Sequence, residues 1–512
     1  MTLYNMLSTV LSATTLGLEG VMISVEVDVA KRGFPTFTIV GLPNKAVEES
    51  KERVRTAIVN SGFTFPEAKI VVNLAPADIK KEGSLFDLPI ALGILAATQV
   101  IPLESISEKL FLGELSLDGK IRGVNGTLPV ILHGKKLGIK QIFIPTSNAS
   151  EGAMVSGIDV FSLSSLTDAI SHLRNEIALS PIKKIDINSL TIQREYEYDL
   201  SHIKGQQSAK RALEIAAAGF HNIHLKGVPG AGKTMMAKAL PSIMPRMDED
   251  EVLEVTKLYS IAGMLGGDNI VTTRPFRSPH QSISGVGMIG GSSDLTPGEI
   301  SLAHRGVLFL DEFPQFPRHL IESLRQPLED GIVTITRASG TVTLPARFLL
   351  VAASNPCPCG MLGHPTKPCR CGVGLIQKYQ KKISGPILDR IDMHIDVMPV
   401  EHEKLTDDSK DIESSSMVRD RVIRVNEIQK KRFFGLRIKS NAEMNSHQVK
   451  EFCQMSSDAE QLLKQAVAKM GLSARSYFKV IKVAKTIADL GKSDIIESSH
   501  IAESLQYRAK DF

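Results

Sequence analysis

The sequence predicts an α/β protein in three parts. Strand-like apolar runs alternate with helical patterns in residues 1–172 and again in residues 199–400. Residues 401–512 carry mainly amphipathic helical patterns, and a more polar stretch at 173–198 predicts a linker between the first two parts. With 512 residues, the chain is long enough to bury several packed cores.

Composition narrows the class of protein. Apolar residues make up 43% and charged residues 23% of the chain, as in soluble globular proteins. No uncharged apolar run approaches the roughly 20 residues that cross a membrane, and the N-terminus lacks the basic region of a signal peptide. We therefore expect a cytoplasmic protein without membrane contact, whose five cysteines stay reduced.

Periodicity assigns the individual elements. In the first part it predicts strands at ISVEVDV, FTIVGL, KIVVNLA and IKQIFIP, with helices at VEESKERVRTAIVNS, DLPIALGILAA and PVILHGKKLG. In the last part it predicts helices at SSMVRDRVIRVNEIQKKRF, SDAEQLLKQAVAKM and SARSYFKVIKVAKTIADL.

The most specific motif in the second part is a glycine-rich loop in HNIHLKGVPGAGKTMMAKAL. An apolar strand precedes the loop and a helical pattern follows it, which is the context that a phosphate-binding G-x-x-x-x-G-K-[ST] motif requires. Its glycines would turn backbone N–H groups toward phosphate oxygens, Lys233 would bridge the β- and γ-phosphates, and Thr234 would ligate Mg²⁺. The predicted nucleotide-binding residues are Gly227, Pro229, Gly230, Ala231, Gly232, Lys233, Thr234 and Asp311.

Two acidic residues end the apolar strand in GVLFLDEFP. Asp311 would hold Mg²⁺, and Glu312 would polarise the attacking water as a general base. The structural alternative is a strand capped by acidic surface residues. Together with the glycine-rich loop, the pair favours ATP hydrolysis.

Three further polar residues are candidates for the same chemistry. Asn355 follows the strand RFLLVAAS, where its side chain would orient the water beside the γ-phosphate. Arg390, in GPILDRIDMHIDV, would reach an ATP bound by a neighbouring subunit, unless Asp389 or Asp392 holds it. Arg475 begins a helical pattern and would also touch phosphate, the alternative being a plain surface helix.

Taken together, these segments resemble the AAA+ ATPases, within them the magnesium-chelatase-like group, and most closely the ComM/YifB family. The resemblance covers nearly the whole chain. It rests on DLSHIKGQQSAKRALEIAAAGFHNI, RPFRSPHQSISGVGMIGG, PGEISLAHRGVLFLDEFPQF, SNPCPCG, CRC, ILDRID, LSARSYFKVIKVAKTIADL and HIAESLQYR. Members of this family are understood as ring-forming DNA motors that move branched DNA during homologous recombination, notably in natural transformation.

The resemblance implies a role for each candidate. The implied roles are Walker A for Lys233 and Thr234, Walker B for Asp311 and Glu312, sensor 1 for Asn355, arginine finger for Arg390 and sensor 2 for Arg475. The chain departs from the family by having Gln281 after His280 where a second histidine is usual, and lysine at 479 and 485 where arginine is usual. Lysine keeps the charge but loses the planar fork, so neither lysine is counted as catalytic.

A basic stretch suggests where DNA would bind. Residues 331–388 contain no Asp or Glu, although a solvated basic face is an equally good interpretation of charge alone. The resemblance implies an extra hairpin around 281–297, and DGIVTITRASGTVTLPA predicts a second one. In related ring motors such hairpins enter the central channel. The DNA-contact candidates are Arg337, Lys378, Lys381 and Lys382.

The first part resembles the Lon-protease fold, through GELSLDGKIRGVNG and IKQIFIPTSN. A Lon-type protease needs a serine nucleophile and a lysine base. Here Leu85 takes the serine position, Ser84 is out of register, and VNGTLPVILHG has no lysine where the base should be. We expect a non-proteolytic domain used for oligomerisation or DNA contact.

Four of the five cysteines fall in the loop 354–372. Four thiolates can close a tetrahedral Zn²⁺ site, although Cys-x-Cys pairs are tighter than the commonest spacing. A redox pair and buried packing thiols are the alternatives, and His364 is a weaker alternative ligand. The loop has little apolar content of its own, and the family shares the pattern, which favours zinc. The expected ligands are Cys357, Cys359, Cys369 and Cys371.

These observations lead to one functional hypothesis. We expect a homohexameric ATPase, dependent on ATP, Mg²⁺ and Zn²⁺, that translocates on branched, single- and double-stranded DNA as a branch-migration helicase and works alongside recombination proteins. The alternatives are a magnesium-chelatase-type ATPase subunit, an ATP-dependent Lon-like protease and a non-motor ATP-binding regulator. The missing Ser–Lys pair disfavours the protease, and the Walker B pair disfavours the regulator.

Overall fold

The predicted α/β fold is confirmed. The computed structural model has two main sheets flanked by helices and a helical C-terminal region. None of the helices in the described part of the chain combines the length and apolar character that a bilayer span requires. The described residues are 6–30, 34–81, 83–187, 196–265, 270–291, 295–337, 340–399 and 413–509.

A mixed sheet organises the first part. The strands are β1 (Met6–Leu16), β2 (Glu19–Ala30), β3 (Thr36–Val40), β4 (Lys69–Ala75), β5 (Lys109–Phe111), β6 (Glu114–Leu115), β7 (Ile121–Arg122), β8 (Gln141–Pro145) and β9 (Asp159–Leu163). Seven of them pair in the order β3-β4-β2-β1-β5-β8-β9, while β6 and β7 form a separate ribbon. The helices are Lys45–Asn60, Asp87–Ala97, Thr127–Lys136, Ala149–Ala153 and Leu166–Leu173.

The first strand was not predicted. β1 pairs with β2 along its whole length, yet several of its buried positions carry small polar residues. Ser8 satisfies its hydroxyl by donating to the Gly93 carbonyl oxygen at 2.7 Å. Because the buried face of β1 mixes serine and threonine with apolar residues, the alternation that marks a half-buried strand is weak in the sequence.

The second part is built on a five-stranded parallel sheet. Its strands and the adjoining hairpin are β10 (Ile223–Gly227), β11 (Phe276–Arg277), β12 (Val307–Leu310), β13 (Ile332–Arg337), β14 (Gly340–Pro345), β15 (Leu349–Ser354) and β16 (Met393–Val397). The sheet order is β11-β12-β15-β10-β16, with every pair parallel. The helices are Gln207–Gly219, Lys233–Ile243, Glu249–Ile261, Gly285–Ile289, Glu299–Leu302, Arg318–Ser323, Arg325–Asp330, Val373–Gln380 and Gly385–Leu388.

The C-terminal region is helical, as predicted. Its helices are Ser415–Arg432, Ser446–Phe452, Ser457–Met470, Ala474–Leu490 and Ser498–Gln506. They share a small apolar core that includes Phe433, Leu463 and Ile481. Inside that core Arg432 forms an ion pair with the buried Asp489 at 2.6 Å, so the charge is compensated. We refer to this region, residues 413–509, as the lid.

Of the two predicted hairpins, the described residues form one. β13 and β14 pair from Ile332 opposite Pro345 to Arg337 opposite Gly340, and the predicted tip at 338–339 lies outside the described residues. The predicted hairpin at 281–297 is wrong for most of its length. Ser284 caps the short helix Gly285–Ile289 by accepting from the Gly287 N–H, and among the described residues of this segment the ladder is a single bridge between Gly290 and Pro297.

The first and second parts pack against each other. Helix Thr127–Lys136 contacts helix Glu249–Ile261, and the Ser260 hydroxyl donates to the buried carboxylate of Glu151. At a second contact, the turn between β1 and β2 lies on the β13–β14 hairpin. Gly17 is left-handed at φ +59°, and a Cβ there would lie 2.4 Å from Val342 Cγ1.

This second contact makes Gly17→Ala a test of how the parts pack. The change adds the strain of a left-handed alanine, roughly 1–2 kcal/mol, and an overpacking cost of roughly 1–3 kcal/mol against Val342. Gly62→Ala is the matched control, because Gly62 is also left-handed at φ +85° but has no atom within 4 Å. We expect thermal unfolding to show a clearly larger loss for Gly17→Ala. Equal losses would contradict the contact.

Candidate functional site

The candidate site lies where parallel strands end. β15 pairs with β10 on one side and β12 on the other, so the three strands end at the same edge of the sheet. Lys226 lies opposite Ser354, and Leu310 lies opposite Ala352. The residues that follow each strand therefore lie side by side at this edge. Open α/β sheets bind ligands at the carboxyl ends of their strands.

The glycine-rich loop needs its glycines for specific steric reasons. A Cβ on Gly227 would lie 2.2 Å from the Val397 carbonyl oxygen, so no side chain fits at the end of β10. Gly230 and Gly232 are left-handed, at φ +79° and +88°, and turn the chain into helix Lys233–Ile243. The loop thus leads directly into a helix N-terminus, the arrangement that binds phosphate.

Lys233 lies over this loop. Its ammonium donates to the carbonyl oxygens of Gly227 at 2.7 Å and Val228 at 2.9 Å, and to Asn355 Oδ1 at 3.2 Å. Burial lowers the pKa of Lys233. The contact with Asn355 joins the loop after β10 to the loop after β15, as the sequence predicted for two parts of one site.

The acidic pair after β12 faces the same loop. Thr234 donates its hydroxyl to Asp311 Oδ2 at 2.8 Å. The Glu312 N–H donates to the other oxygen, Oδ1, at 2.8 Å. Glu312 has a left-handed backbone at φ +48°, which is strained for a residue with a side chain and which commonly occurs at functional sites.

These residues line a single cavity of about 580 Å³. The sequence-predicted members are Pro229, Gly230, Ala231, Gly232, Lys233, Thr234, Asp311, Glu312 and Asn355. A further part of the wall, which the sequence did not assign to the site, is formed by Ser278, Pro279, His280 and Gln281. Gln281 Oε1 is buried and has no hydrogen-bond partner among the described residues. The sequence signals for this wall were the family-like segment RPFRSPHQSISGVGMIGG and, within it, Gln281 where a second histidine is usual.

The two predicted arginines lie elsewhere. Arg390 and Arg475 line a different cavity, of about 650 Å³. It lies between the lid and the second part of the chain, which is built on the five-stranded sheet and which we call the sheet domain. Both form ion pairs with Glu329, Arg390 at 2.7 Å. The alternatives considered for Arg390, capture by Asp389 or Asp392, are not what the structure has, because its partner is Glu329.

The four loop cysteines come together, although no disulfide joins them. Cys357 Sγ lies 3.5 Å from Cys359 Sγ and 3.6 Å from Cys369 Sγ, and all four sulfurs lie within 4.8 Å of one another. The backbone N–H of Met361 is the main cause that lowers the pKa of the Cys359 thiol, to about 6. Cys453 is buried in the lid core, and His364 Nδ1 instead accepts from backbone N–H groups of its own turn.

The cysteine loop packs against the phosphate-binding loop. Gly360 is left-handed at φ +77°, and a Cβ there would lie 2.6 Å from the ring of Pro229. Gln380, at the end of the helix that follows, donates to the Pro356 carbonyl oxygen at 3.1 Å. The cysteine loop is therefore held between the phosphate-binding loop and helix Val373–Gln380.

The DNA-contact candidates are exposed. Arg337, on the β13–β14 hairpin, donates from Nε to the Gly291 carbonyl oxygen at 3.0 Å. Lys378, Lys381 and Lys382 lie at the end of the helix after the cysteine loop and project into solvent. In the first part, Ser84 donates its hydroxyl to the carboxylate of Glu114, and Leu85 packs against the core.

Comparison with family models covers most of the chain. The model described as "Magnesium chelatase, subunit ChlI" matches residues 199–405, and "Subunit ChlI of Mg-chelatase" matches residues 25–148. "Magnesium chelatase, subunit ChlI C-terminal" matches residues 412–508.

Individual relatives give a finer result. "Competence protein ComM" from Haemophilus influenzae is 41% identical over 508 residues, which cover 98% of this chain and 97% of that protein. "Uncharacterized protein YifB" from Escherichia coli is 39% identical over 505 residues, covering 99% and 97%. "Magnesium-chelatase subunit ChlI" from Bigelowiella natans is 24% identical over 196 residues, covering 34% of this chain and 54% of that protein. The chain belongs to the ComM/YifB family of magnesium-chelatase-like AAA+ ATPases.

Proposed function

We propose that this protein is a homohexameric, cytoplasmic motor that uses ATP hydrolysis to move branched DNA during homologous recombination, as in natural transformation. The observation that carries the proposal is the cavity in which Lys233, Thr234, Asp311, Glu312 and Asn355 converge. The full-length relative named as a competence protein supports the recombination setting.

The site residues have distinct roles in this proposal. Lys233 binds the β- and γ-phosphates and exchanges its loop carbonyl partners for phosphate oxygens. Glu312 accepts a proton from the attacking water, and Asn355 orients that water. Thr234 and Asp311 place oxygens 2.8 Å apart, which suits Mg²⁺, an ion that prefers oxygen ligands. When bound, the ion neutralises charge on the phosphates.

A ring explains why the arginines lie away from the phosphate site. Arg390 and Arg475 line a separate cavity and share one carboxylate partner, so they act as one group. In a closed ring of identical chains, this surface would face the nucleotide of the next subunit. Both arginines would then stabilise charge on the transferring phosphoryl group in trans.

DNA binding is proposed from charge and exposure. Arg337, Lys378, Lys381 and Lys382 are exposed within the acid-free stretch, as contacts to a phosphate backbone require. Such contacts bind single and double strands without reading sequence. Recombination proteins are proposed as further partners, since branched DNA arises through strand exchange.

Zinc is proposed for the cysteine loop. Four thiolates bound to one zinc ion at about 2.3 Å lie about 3.8 Å from one another. The observed sulfur distances of 3.5 and 3.6 Å come close to that arrangement. The metal would cross-link a loop that lacks its own core and would thereby hold Gly360 against the ring of Pro229.

A chelatase subunit is the second candidate function, because the matching family models carry that description. The similarity to the chelatase subunit of Bigelowiella natans covers only 34% of this chain, whereas the similarity to the ComM and YifB relatives covers 98% and 99%. The extent of similarity therefore favours the DNA motor.

ATP-dependent unwinding of forked and Holliday-type DNA tests the proposed function. The parental protein should unwind both substrates only with hydrolysable ATP. Glu312→Gln should bind ATP normally but hydrolyse it roughly a hundredfold more slowly or worse, because only water activation is lost. Lys233→Ala should lose nucleotide affinity as well, since its ammonium contacts bound phosphate. A parental protein that hydrolyses ATP yet moves no DNA would contradict the motor function.

Gly360→Ala tests the support of the phosphate-binding loop. The added methyl group would displace the Pro229 ring at a cost of about 1–3 kcal/mol, so we expect ATP affinity to fall roughly tenfold, which corresponds to about 1.4 kcal/mol. Gly363→Ala is the matched control, because Gly363 lies in the same loop at φ +83° with no atom within 4 Å. Titration with a fluorescent ATP analogue distinguishes the two. Equal affinities for both variants would show that the contact is unimportant.

Elemental analysis tests the metal. We expect one zinc per chain, and we expect Cys369→Ser combined with Cys371→Ser to remove it and to weaken DNA unwinding. Cys453→Ser is the control and should keep its zinc, because Cys453 is buried in the lid. Metal-free parental protein with full unwinding activity would mean that the thiols serve packing or redox chemistry.

A further inference from the structure

One carboxylate joins two of the proposed site residues. Glu329 lies near the end of the short helix Arg325–Asp330, in the sheet domain. Its Oε2 lies 2.7 Å from Arg390 Nη2, and its Oε1 contacts Arg475 Nη2. Arg390 belongs to the sheet domain, and Arg475 begins the lid helix Ala474–Leu490. Glu329 therefore uses both of its oxygens to connect the two domains.

The surroundings of the pair leave two buried donor atoms of cationic side chains without a hydrogen bond among the described residues. Arg390 Nη1 donates to the Pro386 carbonyl oxygen at 2.6 Å, but its Nε is buried without a hydrogen-bond partner among the described residues. Lys479, which lines the same cavity, has its ammonium 3.4 Å from Asp392 Oδ1 and likewise lacks a hydrogen bond there. Donors without acceptors in a partly enclosed cavity suit an incoming anion.

Electrostatics explains why the two arginines need a third group. Two guanidinium groups on one surface repel each other, and each side chain carries several freely rotating bonds. A carboxylate between them removes the repulsion and fixes both planar groups by charge-assisted hydrogen bonds. With one negative and two positive charges, the cluster keeps a net charge of +1, so it still attracts phosphate.

We propose that Glu329 is a positioning residue, which holds Arg390 and Arg475 as a pair for the phosphate bound by the neighbouring subunit. The inference rests on the proposed function, since it assumes that these arginines act in trans. Glu329 would touch neither ATP nor Mg²⁺, yet it would affect the rate of ATP hydrolysis. It also makes lid position matter to hydrolysis, because the bridge spans both domains.

Glu329→Gln tests this role, because it removes the charge and keeps the size. In assembled protein we expect kcat to fall roughly tenfold to hundredfold, as misplacement of a catalytic group by about 1 Å does. ATP affinity should be unchanged, because Glu329 lies outside the phosphate cavity. Glu329→Asp keeps the charge on a shorter side chain and should restore part of the rate.

Glu322→Gln is the matched control. It makes the same substitution on the preceding helix, and Glu322 also forms an ion pair with an arginine, Arg325. That pair does not include Arg390 or Arg475, so we expect parental kcat and KM. Comparable melting temperatures and ring masses for the two variants show that any difference arises from positioning. A kcat for Glu329→Gln at or above the parental value, or an equal fall in Glu322→Gln, would overturn the inference.

A double-variant comparison separates this inference from the proposed function. If Glu329 acts through Arg390, then Arg390→Ala combined with Glu329→Gln should be no slower than Arg390→Ala alone. Mixing Glu329→Gln chains with Lys233→Ala chains should restore part of the turnover, because an interface is intact on both sides where the nucleotide site of a Glu329→Gln chain faces the arginines of a Lys233→Ala chain. A multiplicative loss in the double variant overturns the role of Glu329 alone. Parental turnover by Arg390→Ala overturns the trans site itself, and the inference with it.

Discussion

The parallel pairing of β15 with β10 and β12 is the constraint on which the rest of the site depends. It brings the loops that follow three strands, distant in sequence, to one edge of the sheet. Strand register alone then brings Lys233, Asp311 and Asn355 together. A slip of one residue in either pairing would turn these side chains to the opposite face and would destroy the site.

The same sheet also explains why the two arginines lie apart from the phosphate-binding residues. Arg390 precedes β16, at the edge of the sheet, and it lies in the cavity beneath the lid instead of the phosphate cavity. Arg475 joins it from the lid. One chain thus presents phosphate-binding groups on one surface and charge-stabilising groups on another. Under the proposed function, such a division would couple hydrolysis to assembly, and a change at one nucleotide would affect the next subunit.

The sequence was most informative where chemistry requires particular residues at fixed spacing. The glycine-rich loop, the Asp311–Glu312 pair and the cysteine cluster are recognisable because glycine conformation, charge or thiol chemistry restricts each position. β1 was not predicted, because buried serine and threonine residues weaken the alternation of apolar and polar residues in its sequence. The hairpin predicted at 281–297 failed because Ser284 and Gly290 favour a capped helix there. Contacts between distant surfaces, such as Gly17 with Val342, Gly360 with Pro229 and Glu329 with its two arginines, leave no local pattern that periodicity could detect.

We propose that the complete ATPase site forms only between copies of this chain. The most direct measurement is specific ATPase activity as a function of protein concentration, with molecular mass followed by light scattering in the same samples. If the site forms between chains, activity per chain should rise with the fraction of chains in rings and become constant when assembly is complete. Constant activity per chain at concentrations where the protein is monomeric would contradict this proposal.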